Sequence, residues 1–479
     1  MKKGDRIEGL VTRYDFPNIG VVEVEEEGEK KNIKIKNAII GQKVAGVINK
    51  KKHGLLEARL EEVIERSKAE TAIPCPHFAI CGGCTYQTFP YEEQLKIKEA
   101  QVLRLIGNAL GDNSSDMDEA YEGIISSPDQ TEYRNKMEFS FGDEYKDGPL
   151  ALGMHKRNST YDVVNTFECR IADEDFRNIL RTTHEYFAAL EMPYYHKMRH
   201  EGILRHLCVR KGRKSGEILI FLVTSSQWKE KYSDNEWEDI LNNWKDAILK
   251  IDFAGKTAGI LHITNDCLAD AVKDEGTKIL YGRDYFEEEL SGLIFRVSPF
   301  SFFQNNSRGA ELLYDKVREY LFSADSFGGD CVGKKPVVYD LYSGTGTISQ
   351  LVAKATSKTI GVEIIEEAVL AAKESARRNG IDNCEFIAGD VLKCLDEIDT
   401  LPDYIILDPP RDGVNPKALD RILDYGVKDI IYVSCKPTSL ARDIEKFYDK
   451  DYHLVKMSMV DMFPFTTGIE TVCLFVKNN

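Results

Sequence analysis

The hydrophobic positions of this chain fall into three regimes. Over residues 1–60, short apolar stretches at 6–13, 21–24, 32–35 and 42–49 alternate with turns, the first being Phe16-Pro-Asn-Ile-Gly20. Short strands at this spacing predict a small OB-like β-barrel. Residues 61–70 read as a charged helical connector. Residues 90–110 carry an apolar stripe that includes Leu95, Val102, Leu103, Ile106 and Leu110, as expected of an amphipathic helix packed on a core. Residues 112–118 read as a polar loop. From about 121 to 290 the pattern is strand-rich, and from 291 strands and helices alternate.

That last regime predicts a doubly wound, Rossmann-like sheet. The expected organisation is multi-domain α/β: a barrel over 1–60, a β-rich central domain over 70–290, and the doubly wound domain over 291–479. Ligands gather at the carboxyl ends of such strands, where Asp340, Glu363, Asp390, Asp408 and Cys435 all fall. The apolar run 337–341 ends in Ser343-Gly344-Thr345-Gly346, and Thr347 opens a helix. Strand, glycine turn and helix start form a nucleotide-binding crossover. A dinucleotide fingerprint would need glycine where Ser349 stands. A carboxylate at Glu363, ending the next strand, can take both ribose hydroxyls of an adenosine. Asp340, the two glycines and Glu363 thus suit S-adenosylmethionine better than a nicotinamide cofactor.

The 479 residues are too many for one core. With 42% apolar and 30% charged residues, no apolar run of membrane-spanning length and no signal peptide, a cytoplasmic protein is expected. The net charge of −16 argues against a nucleic-acid partner when taken alone. The distribution argues otherwise, since residues 1–60 hold 13 Lys/Arg against 9 Asp/Glu. Basic clusters recur at Lys50-Lys-Lys-His53, His155-Lys-Arg157 and 205–214. With Tyr133-Arg-Asn-Lys136, these suggest a phosphate-binding face on the central domain.

Three of eleven cysteines stand close together as Cys75-x5-Cys81-x2-Cys84, and Cys169 is a distant fourth candidate. Glycines 82 and 83 let this loop wrap one centre and aim N–H groups at sulfur. Four thiolates suit a 4Fe–4S cluster. Zinc could take the same four, although the spacing departs from paired Cys-x2-Cys knuckles. His77 lies inside the loop and reads as packed or solvated rather than ligating.

Asp408-Pro-Pro-Arg411 is similar to a methyltransferase signature, but Arg411 occupies the slot where amino-group methyltransferases carry a base-stacking aromatic. Cys435, at a strand end before Pro437, offers a different chemistry. A thiolate can add to carbon 6 of a pyrimidine and make carbon 5 nucleophilic. This needs an activated cysteine, a base for the carbon-5 proton and a donor for the developing enolate.

The run Tyr432-Val-Ser-Cys-Lys-Pro-Thr-Ser-Leu-Ala-Arg-Asp443 resembles the nucleophile motif of the RNA uracil-5-methyltransferases. Phe302-Phe-Gln304-Asn, Asp340-Leu-Tyr-Ser-Gly-Thr-Gly, Asp408-Pro-Pro-Arg and Asp461-Met-Phe-Pro…Glu470 match in the same order. The cysteine loop resembles that of the iron–sulfur members, and the barrel resembles the RNA-binding TRAM domain they carry. The resemblance implies Cys435 as nucleophile and Glu470 as base, with Phe302, Asp408 and Arg411 at the uracil. It implies Gln304, Tyr342, Gly344, Gly346, Thr347, Glu363, Asp390 and Asp408 around S-adenosylmethionine, and Cys75, Cys81, Cys84 and Cys169 around 4Fe–4S. The implied activity is carbon-5 methylation of a uridine, with 23S rRNA the expected substrate and a monomer the expected state. The alternatives are a tRNA substrate, or an RNA-binding iron–sulfur protein without methyl transfer. Two positions depart from the family pattern. Gly468 stands where many relatives have histidine, and Thr347 where asparagine is common.

Overall fold

The computed structural model describes the chain except Glu27, His53, Gly54, Asp270, Ala271, residues 324–334 and Asn479. His53 of the first basic cluster therefore lies outside the described residues. The amino-terminal strands close into a barrel in the order Arg6–Asp15, Ile19–Glu26, Glu29–Lys36, Leu55–Glu65, Lys43–Lys52. Val11, Val22, Ile33, Ile35, Val44, Ile48 and Leu56 fill it. Residues 61–65 of the expected helical connector are instead the end of the strand Leu55–Glu65, paired with Lys43, Val44 and Ala45. Their side chains are all exposed, so no inward alternation marks them as a strand.

The central sheet has seven strands, in the order Thr277–Gly282, Lys256–Thr264, Glu217–Thr224, Leu204–Lys211, Lys136–Asp143, Leu150–His155, Val163–Asn165. One face carries helices Glu174–Ala189 and Asp234–Leu249, absent from the strand-rich reading. The second repeats Trp237, Leu241, Trp244 and Ile248 toward the core and opens with a Ser233–Glu236 capping box, a local signal for a helix start. Part of the expected phosphate-binding face turns inward. Arg205 and Arg210 are buried, and their guanidiniums donate to backbone carbonyls. Arg157 is likewise committed to the Cys84 carbonyl.

The third layer is an eight-stranded sheet in the order Cys384–Ala388, Lys358–Glu363, Val337–Leu341, Tyr404–Leu407, Asp429–Ser434, Glu470–Lys477, Tyr452–Val460, Tyr121–Ile125. Its first five strands are parallel, and all but the edge strand Cys384–Ala388 bury both faces. Tyr339, Leu341, Ile405, Leu407 and Tyr432 face one core, while Val338, Ile406, Ile431 and Val433 face the other. This sheet recruits residues from well before 291. Strand Tyr121–Ile125 forms its edge, helix Tyr91–Leu110 packs on it, and the expected polar loop is a helix, Ser114–Ala120, packed beside them. Among the described residues no helix is long and apolar enough to cross a membrane.

Candidate active site

The glycine turn after strand Val337–Leu341 is held from two sides. Asp340 Oδ2 accepts from Ser349 N at 2.9 Å and Ser349 Oγ at 2.5 Å, tying the strand end to the first turn of helix Thr347–Val352. Glu363 accepts from Gly344 N at 3.1 Å and Ile365 N at 2.9 Å, which fixes its carboxylate beside the turn. Two buried acceptors, Asp340 Oδ1 and Ser343 Oγ, have no protein partner. Burial pushes the Asp340 carboxyl up to about 6. A side chain added at Gly344 would meet open space, whereas one at Gly346 would lie 2.4 Å from Phe386 Cε1. Space above the turn and orphaned acceptors within it suit a ligand rich in amine and hydroxyl donors.

Gly346 has φ +71° as well as no room for Cβ. Gly346→Ala is expected to cost about 1–3 kcal/mol of folding stability and to weaken S-adenosylmethionine binding at least tenfold, as roughly 1.4 kcal/mol lost at the turn would do. Thermal melting and calorimetric titration check the two effects separately.

The strand ends to one side of this turn bring four predicted residues together. Cys435 is half-buried after strand Asp429–Ser434, Glu470 is buried at the start of strand Glu470–Lys477, and Asp408 and Arg411 follow strand Tyr404–Leu407. Their charges act on one another. Loss of hydration pushes the Glu470 carboxyl up to about 8, with Asp408 adding to the rise and Arg411 opposing it. Burial and the nearby Asp340 carboxylate push Asp408 up to about 7. Burial, then Glu470 and Asp408, push the Cys435 thiol up to about 11, against the pull of Arg411. A thiol, a carboxyl pushed toward neutrality and a cation therefore share one site.

The loop 298–306, which carries Phe302 and Gln304, is anchored from the central sheet. Arg210 donates to the carbonyls of Ser298, Pro299 and Ser301 at 2.5, 3.1 and 2.9 Å. Asn135 Nδ2 donates to the Gln304 carbonyl at 2.7 Å. The Gln304 side chain shares a hydrogen bond with buried Tyr314, which also feels Asp408, Glu470 and Asp340. Phe302 is 68% exposed, so its ring is presented to solvent. Asp390 is exposed too, and its Oδ1 accepts from Leu392 N at 3.0 Å as a helix cap. Tyr342 lies within electrostatic reach of Asp390, and Thr347 is buried at the helix start. Tyr314 escaped the sequence reading, since it reads locally as an ordinary core position, and Arg210 was read as a phosphate contact rather than as the anchor of this loop.

Three comparisons bear on this site. The family model described as tRNA (uracil-5-)-methyltransferase matches residues 115–478. An RNA methyltransferase of Caldanaerobacter subterraneus subsp. tengcongensis, named only as uncharacterized, is 46% identical over 478 residues, covering 100% of both chains. The chain belongs to the tRNA (uracil-5-)-methyltransferase family. This methyltransferase is also 45% identical to an RNA methyltransferase of Clostridium acetobutylicum, over 100% of this chain and 99% of that one. Its fold matches the crystal structure of the Pyrococcus abyssi tRNA (uracil-54, C5)-methyltransferase in complex with S-adenosyl-L-homocysteine, with TM-score 0.72 and 23% identity over 98% of this chain and 100% of that one. Membership makes it an S-adenosylmethionine-dependent RNA methyltransferase.

Cys75, Cys81, Cys84 and Cys169 line one cavity of about 260 Å³ in this methyltransferase, as free thiols. Gly83 N donates to Cys81 Sγ at 3.3 Å, and the amides of Ile171 and Ala172 face Cys169. Burial pushes Cys84 up to about 12. Among the described residues, no three His, Cys, Asp or Glu side chains are grouped to hold a metal ion, so the tetrahedral zinc alternative has no assembled site. The expected 4Fe–4S centre likewise has no counterpart in the comparisons. Four thiols around one cavity, with amides turned to sulfur, remain a donor set of the right chemistry, because thiolates around a cluster each meet a different iron and stand wider than around one ion.

Proposed function

We propose that this methyltransferase transfers the methyl group of S-adenosylmethionine to carbon 5 of a uridine in RNA, through a covalent bond between Cys435 and carbon 6. The observation that supports this reading is the shared electrostatic site of Cys435, Glu470, Asp408 and Arg411. The Cys435 thiol gives up its proton to solvent, its sulfur bonds to carbon 6, and the ring electrons move to carbon 5 and oxygen 4, where Arg411 or a neighbouring donor offsets the charge. S-adenosylmethionine supplies the methyl group to carbon 5 and leaves as S-adenosylhomocysteine. Glu470 then accepts the carbon-5 proton, the carbon–sulfur bond breaks, and the thiolate of Cys435 is restored. The uracil must leave its stack to reach a half-buried thiol, and Phe302, exposed on the loop 298–306, would stack on it.

The proton-accepting step needs Glu470 ionised. With its carboxyl near 8, the ionised fraction rises with pH, so the rate of proton removal should grow about tenfold between pH 7 and pH 9. Rapid-quench turnover of tritium from carbon 5 across that range checks this. A falling rate would assign the group another role.

Within this reading the substrate is 23S rRNA, the barrel is a TRAM-like RNA contact, and the enzyme acts as a cytoplasmic monomer. Cys75, Cys81, Cys84 and Cys169 would hold a 4Fe–4S cluster that staples the cysteine loop to the central sheet. A tRNA substrate is the second reading, favoured by the wording of the family model and of the Pyrococcus abyssi structure. The test uses anaerobically purified enzyme with S-adenosylmethionine and 5-fluorouridine transcripts of 23S rRNA and tRNA. Fluorine cannot leave as a proton, so an adduct that survives denaturation supports carbon-5 chemistry, and the transcript that forms it names the substrate. No adduct with either RNA would overturn the reading.

A further inference from the structure

Glu470 is reached through a strap, residues 461–469, that joins the strand Tyr452–Val460 to the strand Glu470–Lys477. The strap is gripped at both ends by helix Tyr91–Leu110, while Thr85, Tyr86, Tyr133 and Asn306 donate to its middle carbonyls. Lys98 is 1% exposed, and its ammonium donates to Asp461 Oδ1 at 2.7 Å, the Phe463 carbonyl at 3.0 Å and the Gly468 carbonyl at 3.0 Å. Tyr91 donates to Asp461 Oδ2 at 2.8 Å, and Gln94 accepts from Phe465 N at 2.8 Å. Asp461 is itself fully buried. All three protons of the Lys98 ammonium are used, two at the entry of the strap and one at its exit, two residues before Glu470.

A buried lysine is a poor way to gain stability, since desolvation offsets most of the attraction to its partner. What it provides is geometry. The strap must turn back within nine residues, and Gly468 packs so close to Phe463 that an added Cβ would lie 2.8 Å from Phe463 Cδ2. The ring of Phe463 thus fills the space beside Gly468, and glycine has no side chain to orient the base from there. The ammonium ties the two ends of the strap from the opposite side. The strand itself is held independently, with Glu470 paired to Val460. Loosening the strap therefore changes the approach to Glu470 without undoing the sheet.

We propose that Lys98 is a positioning residue for Glu470, closing the strap through Asp461, Phe463 and Gly468 so that the carboxyl meets the carbon-5 proton. The inference rests on the reading of Glu470 as base. Because thiol addition and methyl transfer precede proton removal, a displaced base stalls the reaction after transfer, and misplacement by about an ångström can slow a step on the order of 10²-fold.

The test follows full-length enzyme with RNA of ordinary uridine and S-adenosylmethionine labelled in the methyl group. Lys98→Met is paired with Lys98→Met/Asp461→Asn, which removes the stranded carboxylate and protects folding, and Glu470→Gln serves as reference. The expected result is that both Lys98 variants transfer label to RNA within about twofold of the parent in a single turnover, yet accumulate a labelled RNA–protein adduct resolving roughly 10- to 100-fold more slowly. Parental adduct resolution in the double variant would overturn the proposal. So would equal losses of adduct formation, transfer and resolution, which mark a structural role. If Glu470→Gln traps no adduct, the assignment of the base fails first, and the positioning role falls with it.

Discussion

Cys435→Ala is expected to lower methyl transfer by roughly 10⁴- to 10⁶-fold, the scale on which removal of a covalent nucleophile falls. Carbon 5 of uracil is too weak a nucleophile to attack a methyl group unaided, and nothing else beside it can add to carbon 6. Asp408 and Glu470 are hard oxygen groups that hold their protons near neutrality, at about 7 and about 8. The alanine variant should still bind S-adenosylmethionine with parental affinity, because the glycine turn, Asp340 and Glu363 lie on other strand ends. Calorimetric titration beside a single-turnover methylation assay separates the two. A variant that keeps substantial transfer would remove the covalent route.

Glu470→Gln should produce the opposite signature. The amide cannot take a proton, so the carbon–sulfur bond formed by Cys435 has no way to break once carbon 5 is methylated. Steady-state turnover should fall by about 10³-fold or more, while one equivalent of RNA is methylated and retained on the protein. The adduct should be visible on denaturing gels with ordinary uridine. Burial favours the substitution structurally, because glutamine fills the same volume and the native carboxyl already carries a proton at neutral pH. Loss of both methylation and adduct would instead place Glu470 before the thiol addition.

The strand-end positions were legible because parallel strands buried on both faces read as short, largely apolar runs, 337–341, 404–407 and 429–434, that stop abruptly at polar or small residues. Asp408 and Cys435 follow from that rule, and Asp340 is the polar residue that breaks its run one position before the end. The strap and its lysine were not legible, because a buried cation has no local mark. In helix Tyr91–Leu110 the apolar stripe reads correctly through Val102, Ile106 and Leu110, but its first half buries Gln94 and Lys98. Their partners lie more than 300 residues further on. The strand Leu55–Glu65 was misread for a related reason: its closure of the barrel is a pairing between segments, whereas its charge is visible within the segment. The basic residues of the central sheet misled in the same direction, since Arg205 and Arg210 satisfy carbonyls inside the fold.

The edge strand Tyr121–Ile125 carries a consequence for synthesis. It leaves the ribosome early, and the strand it pairs with, Tyr452–Val460, is made more than 300 residues later. Until then the early strand and the flank of helix Tyr91–Leu110 have no sheet to rest on, while the barrel and the central sheet, whose contacts are nearer in sequence, can form first. The catalytic layer is completed last, by its own carboxyl terminus. A nascent chain that stalls before residue 452 is then a folded barrel and central sheet with an open flank, a natural target for chaperones and proteases, and incapable of methylating anything.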